Sequence, residues 1–262
     1  MSEDLILSIE AGLATITLNR PAVMNAMTFA MWGEFLAMVQ DIEHDPDVKC
    51  LLVNGAGDHF CAGQEISEFA KLSELAPRQL AVQIKRELDK TNALFLALER
   101  IPQPVVVSIR GHVAGGGLSI VTVADLIVAS DTAKFSAAQI KLGAIPDASL
   151  SFNLRRAIGI KKAKQYCMLG ETMDAPTAAE LGLVNWVVPN DKLEEKTAHV
   201  IRTLLGIAPV ALARTKATLN RSFNNTLADH AAEEPLDAGL CVMAPEFLQN
   251  IRAFTERRKK TT

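Results

Sequence analysis

An α/β fold is predicted for this chain, on three features of its sequence. Short apolar runs at 50–53, 105–109 and 126–129 alternate with longer stretches of helical periodicity, the order of strands covered by crossover helices. Two of these runs lead into glycine-rich segments and then into a helical stretch. From about residue 193 onward only helical periodicity remains, interrupted by Pro209, Pro235 and Pro245.

The elements follow in order. Leu5–Glu10 turns at Ala11-Gly12 and returns as Leu13–Leu18, with the alternation of a hairpin. Asn19-Arg20-Pro21 stops that strand, because proline cannot donate to a ladder. Thr28 is placed to cap a helix whose apolar residues Phe29, Trp32, Phe35, Leu36 and Val39 share one face. Asp45-Pro46 ends it. The run at 50–53 reads as a buried strand, and a loop with Gly55, Gly57 and Gly63 follows. A second helix spans Pro77–Arg100, Pro102 and Pro104 bracket a turn, and Val105–Ile109 is another buried strand. The periodicity places the main α/β body at residues 1–195 and a helical subdomain at 196–262.

Composition narrows the class. The chain has 262 residues, 49% hydrophobic and 22% charged, enough to bury a substantial core, and its formal net charge of −3 gives no pull toward nucleic acid or an anionic membrane. The longest apolar tract, 104–130, contains Arg110, His112 and Asp125, which a membrane span tolerates poorly. The N-terminus carries acids and no basic, apolar leader. Cys50, Cys61, Cys167 and Cys241 are scattered, which fits a reducing cytoplasmic compartment better than a disulfide framework. The basic cluster Arg252, Arg257, Arg258, Lys259 and Lys260 reads either as a solvated helix end or as a phosphate contact.

Several chemistries lack their motifs: no P-loop, no GxGxxG, no GxSxG and no HExxH is present, and no metal site is expected. Two strand–loop–helix stretches stand out, CLLVNGAGDHFCAGQEI (50–66) and VVVSIRGHVAGGGLSI (105–120). Backbone N–H groups at a helix start are unpaired, and small residues let a ligand approach them. Two such ends meeting at one point would bind an oxyanion, whereas glycines serving only turns and packing are the alternative. Asp147, after Pro146 and before a helical run, is either an N-cap or a carboxylate held in apolar company as a base. His59 and His112 read as loop surface or packing residues, and Glu65 as first-turn helix charge.

NRPAVMNAM (19–27), FCAGQEI (60–66), GHVAGGGLSI (111–120) and AFTERRKK (253–260), in that order, resemble the crotonase, or enoyl-CoA hydratase/isomerase, superfamily over almost the whole chain. The resemblance implies a crotonase-like spiral of ββα units with a C-terminal helical subdomain that builds trimers, often paired into hexamers. It implies an acyl-CoA thioester substrate, with coenzyme A carried by the substrate and no other cofactor. By motif position, the backbone N–H groups of Gln64 and Gly116 would receive the thioester oxygen. Ala62, Gly63, Gln64 and Ile66 would line the pantetheine and acyl path, and basic residues of the last helix would meet the CoA phosphates. The two glutamates of the family's hydratases fall on Ser119 and Gln139, neither of which readily serves as an acid or base. Asp147 matches the single acid of several family isomerases. LGAIPDA (142–148) and FCAGQEI resemble the LGLIPD and FCAGQDL stretches of the bacterial phenylacetate-pathway isomerases. The dehalogenase branch also has an acid there, as a nucleophile, but lacks the QE/QD pair. The expectation is an enoyl-CoA isomerase using Asp147. The alternatives are a hydratase with water held by Asp147 alone, or a non-catalytic acyl-CoA-binding protein.

Overall fold

The computed structural model describes residues 3–72 and 74–261, with side chains described up to Glu256. The chain opens with β1 (Leu5–Glu10) and β2 (Leu13–Leu18), paired antiparallel with Glu10 opposite Leu13. The two-residue turn between them has positive φ at both Ala11 (50°) and Gly12 (84°), the twist that tight hairpins favour. Helix α1 (Phe29–His44) starts where expected, with the Thr28 hydroxyl accepting from Met31 N–H at 3.2 Å.

Next come β3 (Cys50–Gly55), α2 (Ile66–Leu72), α3 (Pro77–Arg100), β4 (Val105–Ile109), β5 (His112–Ala114) and α4 (Gly116–Val123). The chain continues with β6 (Leu126–Ser130), β7 (Lys134–Ser136), α5 (Leu150–Leu169), β8 (Thr172–Asp174), α6 (Ala175–Glu180) and β9 (Trp186–Val188). It closes with α7 (Leu193–Leu205), α8 (Pro209–Ser222), α9 (Leu227–Met243) and α10 (Pro245–Thr261).

The strands form a large sheet of order β1-β2-β3-β4-β6-β9 and a small one of order β5-β7-β8. From β2 onward every pairing in the large sheet is parallel. Two successive turns of the chain lay one strand in the large sheet and a short one in the small sheet before entering a helix, β4-β5-α4 and β6-β7-α5. Alternate side chains of the parallel strands enter two cores. Leu51, Val53, Val105, Val107, Ile127 and Ala129 join α1, α3 and α4 on one face. Cys50, Leu52, Val106 and Val128 meet Val200, Ile201 and Leu204 of α7 on the other. A sheet buried on both faces explains why its strands read as continuous apolar runs.

The structure differs from expectation in three places. The short strands β5, β7, β8 and β9 carry no legible period, because they exist only through pairing with distant strands. Pro235 lies inside α9 instead of breaking it. Its missing N–H leaves the Ala231 carbonyl without a helix partner, and Ala231 is exposed to solvent. The expected boundary after residue 195 falls within α7, which is a layer of the core. Among the described residues no helix is long and apolar enough to cross a membrane.

Helix α8 is anchored by a buried cation. Lys216 Nζ lies 2.8 Å from Asp125 Oδ2 and also donates to the carbonyls of Leu98 (3.1 Å) and Gln103 (3.2 Å). Asp125 in turn accepts from Val105 N–H at 2.7 Å, so the pair ties α8 to the start of β4. Removing one member of a buried pair strands the other. Lys216→Met is therefore expected to lower unfolding free energy by about 3–5 kcal/mol in urea titration, and adding Asp125→Leu to recover part of it.

Candidate active site

The two glycine-rich loops meet backbone to backbone. His112 O accepts from the N–H groups of Phe60 (3.2 Å) and Cys61 (3.1 Å), and Ala114 N–H donates to Cys61 O at 2.9 Å. On its other side the first loop is stitched to the segment before α1: Ala62 N–H donates to Met24 O (2.9 Å), Met27 N–H to Gly63 O (2.7 Å) and Glu65 N–H to Met27 O (2.8 Å). Glycine is required at two points of this contact. A Cβ on Gly63, whose φ is +92°, would stand 2.9 Å from Ala114 O and 3.2 Å from Gly116 N. One on Gly117 would stand 2.5 Å from Cys61 O.

This stitching leaves several donors over, Gln64 N–H and Gly116 N–H among them. Gln64 N–H falls between the bonds made by Gly63 and Glu65, and Gly116 N–H is the first of α4. Neither has an acceptor among the described residues. Both residues line one cavity of about 400 Å³, together with Ala62, Ile66, Gln139 and Asp147. Gly63 is not on its wall and serves the turn behind it. Two unpartnered amides on one apolar cavity can bind oxygen that is gaining negative charge.

Asp147 faces the cavity and does not cap α5. The residues after it, Ala148 (φ 51°) and Ser149 (φ 61°), both take the left-handed conformation, and α5 begins without a side-chain cap. Two such non-glycine residues in succession are costly, and they turn the chain so that the carboxylate lies on the cavity wall. Its side-chain hydrogen bond comes from Gln139 Nε2 at 3.3 Å. Burial pushes its pKa up, and the Gln139 bond opposes that only in part. Among the described residues no cation pairs with it.

At the two positions where the resemblance puts glutamates, Ser119 is fully buried behind the wall and Gln139 lies on it. Ser119 Oγ and Gln139 Oε1 are both buried and unpartnered among the described residues.

The structure also adds Phe29 and Trp32 to the site and picks out individual residues from the segment of about 66–94 expected to shape the acyl pocket. Phe29 and Trp32 of α1 line the cavity, as do Ile84, Glu87 and Thr91 of α3. Glu87 was legible as an anomaly. It occupies a buried position in the apolar stripe Leu80, Ile84, Leu94, Leu98, where a charge is out of place. It accepts from Gln83 Nε2 (2.9 Å) and Lys90 Nζ (3.1 Å), so it is already paired.

Glu65 forms an ion pair with Arg20 at 3.2 Å, away from the cavity wall. His59 and His112 stack with ring centroids 5.0 Å apart and do not line it. No group of three metal-ligating side chains is found among the described residues. The side chains of Arg257, Arg258, Lys259 and Lys260, where the phosphate contact is expected, lie outside the described residues.

This fold is that of a known enzyme family. The chain belongs to the enoyl-CoA hydratase/isomerase family, whose sequence profile matches residues 8–261. It is 33% identical over 260 residues to a trans-2-decenoyl-[acyl-carrier-protein] isomerase of Streptococcus mutans, covering 98% of this chain and 97% of that one. It is 29% identical to the 1,2-epoxyphenylacetyl-CoA isomerase of Escherichia coli, covering 98% and 97%. The crystal structure of an enoyl-CoA hydratase from Mycobacterium smegmatis superposes with a TM-score of 0.91 at 26% identity, covering 98% and 97%. The chain is therefore an enzyme of the crotonase fold acting on acyl-CoA-type substrates.

Asp147 has a stability consequence that can be checked without a substrate. Its folded pKa is raised, so folding favours the neutral carboxyl. Stability is then greatest below the pKa of the unfolded aspartate and falls as pH rises toward the folded one. Asp147→Asn keeps an acceptor for Gln139 and removes the charge. It is expected to raise Tm at pH 7, with the gain vanishing in scans run below the ordinary aspartate range.

Proposed function

We propose that this enzyme isomerises the double bond of enoyl thioesters, with Asp147 as the single acid/base. The observation that carries the reading is Asp147 itself: a carboxylate without a cationic partner, on the wall of the cavity that holds the Gln64 and Gly116 amides, while positions 119 and 139 are Ser and Gln. The thioester carbonyl of a 3-enoyl-CoA accepts from the two amides. Asp147 removes a proton from carbon 2, the electron pair moves onto the thioester oxygen as an enolate, and the resulting carboxylic acid returns the proton at carbon 4. Each oxyanion donor of this kind lowers the barrier by about 3 kcal/mol. A raised pKa suits a group that must both take and return a proton. The Streptococcus mutans and Escherichia coli relatives, both named isomerases, support the same reading. Coenzyme A arrives with the substrate, and no further cofactor takes part.

Asp147→Asn is expected to reduce kcat on a 3-enoyl-CoA by about 10²- to 10⁴-fold, with saturated acyl-CoA still bound. Retained turnover would remove Asp147 from the mechanism. One observation favours a second reading, hydration: the likeness to the Mycobacterium smegmatis structure named an enoyl-CoA hydratase. Loss of the enoyl absorbance of crotonyl-CoA separates hydration from isomerisation, and thioester binding without either reaction marks a non-catalytic protein.

The C-terminal helices fit an oligomer. Leu227, Leu236 and Met243 of α9 and Phe254 of α10 are exposed, and large apolar side chains gathered in water mark an interaction surface. We assign this surface to a homotrimer, alone or paired into a hexamer. Light scattering is expected to give three or six times the 28.3 kDa chain mass, and a monomer at micromolar concentration would refute the assignment.

A further inference from the structure

The catalytic reading above depends on two amides being held at a fixed separation, yet they belong to different loops. One buried side chain touches both of the residues that carry them. Trp32, only 3% exposed, lies on α1 and on the cavity wall. Its indole Nε1–H donates to Gln64 Oε1 at 2.8 Å. The six-membered-ring edge next to that N–H lies against Gly116: a Cβ on Gly116 would stand 2.7 Å from Trp32 Cζ2 and 2.9 Å from Cη2.

The ring is itself held in place. Phe95 of α3 packs on it with centroids 6.0 Å apart. On the polar side, Gln64 Nε2 donates to Glu68 Oε2 at 2.7 Å, and that oxygen also accepts from Phe29 N–H at 2.7 Å. The Gln64 side chain is therefore fixed at both ends, by the indole and by a carboxylate that also binds the first turn of α1. The backbone of Gln64 can rotate its N–H out of the cavity only by breaking these bonds. Gly116 can move toward α1 only by displacing a rigid bicyclic ring.

We infer that Trp32 is a positioning residue that sets the separation and direction of the Gln64 and Gly116 amides. The inference rests on the reading that those amides receive the thioester oxygen. A tryptophan suits both contacts at once. Cζ2 is two bonds from Nε1, so a single rotamer presents the donor to Gln64 and the adjoining ring edge to Gly116. A phenylalanine would fill part of the space without the hydrogen bond, and a leucine would supply neither contact.

Two variants and two measurements test this. Trp32→Phe keeps a ring near Gly116 and removes the donor to Gln64. Trp32→Leu removes both. With a 3-enoyl-CoA, kcat is expected to fall roughly 3- to 10-fold for Trp32→Phe and on the order of 100-fold for Trp32→Leu, with KM changed less than about 3-fold.

The second measurement needs no turnover. The infrared carbonyl stretch of bound butyryl-CoA, labelled with ¹³C at the thioester, is expected to move to lower frequency in the wild type. The displacement should be smaller in Trp32→Phe and smallest in Trp32→Leu. A merely structural tryptophan would lower Tm and leave the kcat and carbonyl stretch of the folded protein unchanged, and that outcome overturns the inference. If Trp32→Leu fails to fold, Trp32→Phe alone decides, by the same split of kcat from KM. A wild type whose bound carbonyl shows no displacement overturns the reading of the two amides as well. Unchanged variants beside a displaced wild type overturn only the role of Trp32.

Discussion

The contact between two polypeptide backbones at Gly63 and Gly117 is the constraint on which the rest of the site depends. The approach of Ala114 to Gly63 and of Cys61 to Gly117 leaves no space for a side chain on either glycine. It brings the start of α4 beside a loop that follows β3, elements separated by the whole of α2 and α3. Hydrogen bonds then use up the neighbouring donors, from His112 on one side and from Met24 and Met27 on the other. The amides of Gln64 and Gly116 are among those left without an acceptor among the described residues. Their availability to a ligand follows from the exhaustion of other partners and not from any special chemistry of Gln64 or Gly116.

The parallel sheet supplies the rigidity behind this contact. Strands β3 and β4, which lead into the two loops, are neighbours and are buried on both faces. Their ends therefore cannot drift apart without opening two cores. The helices divide the remaining work. Helix α1 presents Trp32 and α3 presents Leu80, Ile84 and Glu87, so the apolar cavity wall comes from the same surfaces that pack the core. Catalytic precision and stability here draw on shared contacts, and the backbone strain at Ala148 and Ser149 is sustained by the packing of α5.

Electrostatics separates the two carboxylates of the cavity. Glu87 is already engaged by Lys90 and Gln83. Asp147 is buried with only a neutral amide for company, which raises its pKa. The same chemical group thus meets two environments on one cavity, an ion pair for Glu87 and burial beside a neutral amide for Asp147.

The sequence by itself determined the α/β class, the early hairpin, the capped start of α1, the long α3 and the two loops that matter, because each is encoded by local periodicity or by a turn residue. Thr28, the Ala11-Gly12 turn and the small residues around Gly63 and Gly116 are such signals. Asp147 was visible as a residue but ambiguous in role, since an N-cap and a base look alike in sequence. Only the tertiary structure decided against the cap, through two left-handed residues that no local rule demands. It alone placed the three-residue strands β5, β7, β8 and β9, put Pro235 inside a helix and carried α7 into the core. It alone set Trp32 against Gly116 and Glu87 on the cavity wall. These depend on contacts between residues distant along the chain, and pattern within a short window carries no information about distance in space.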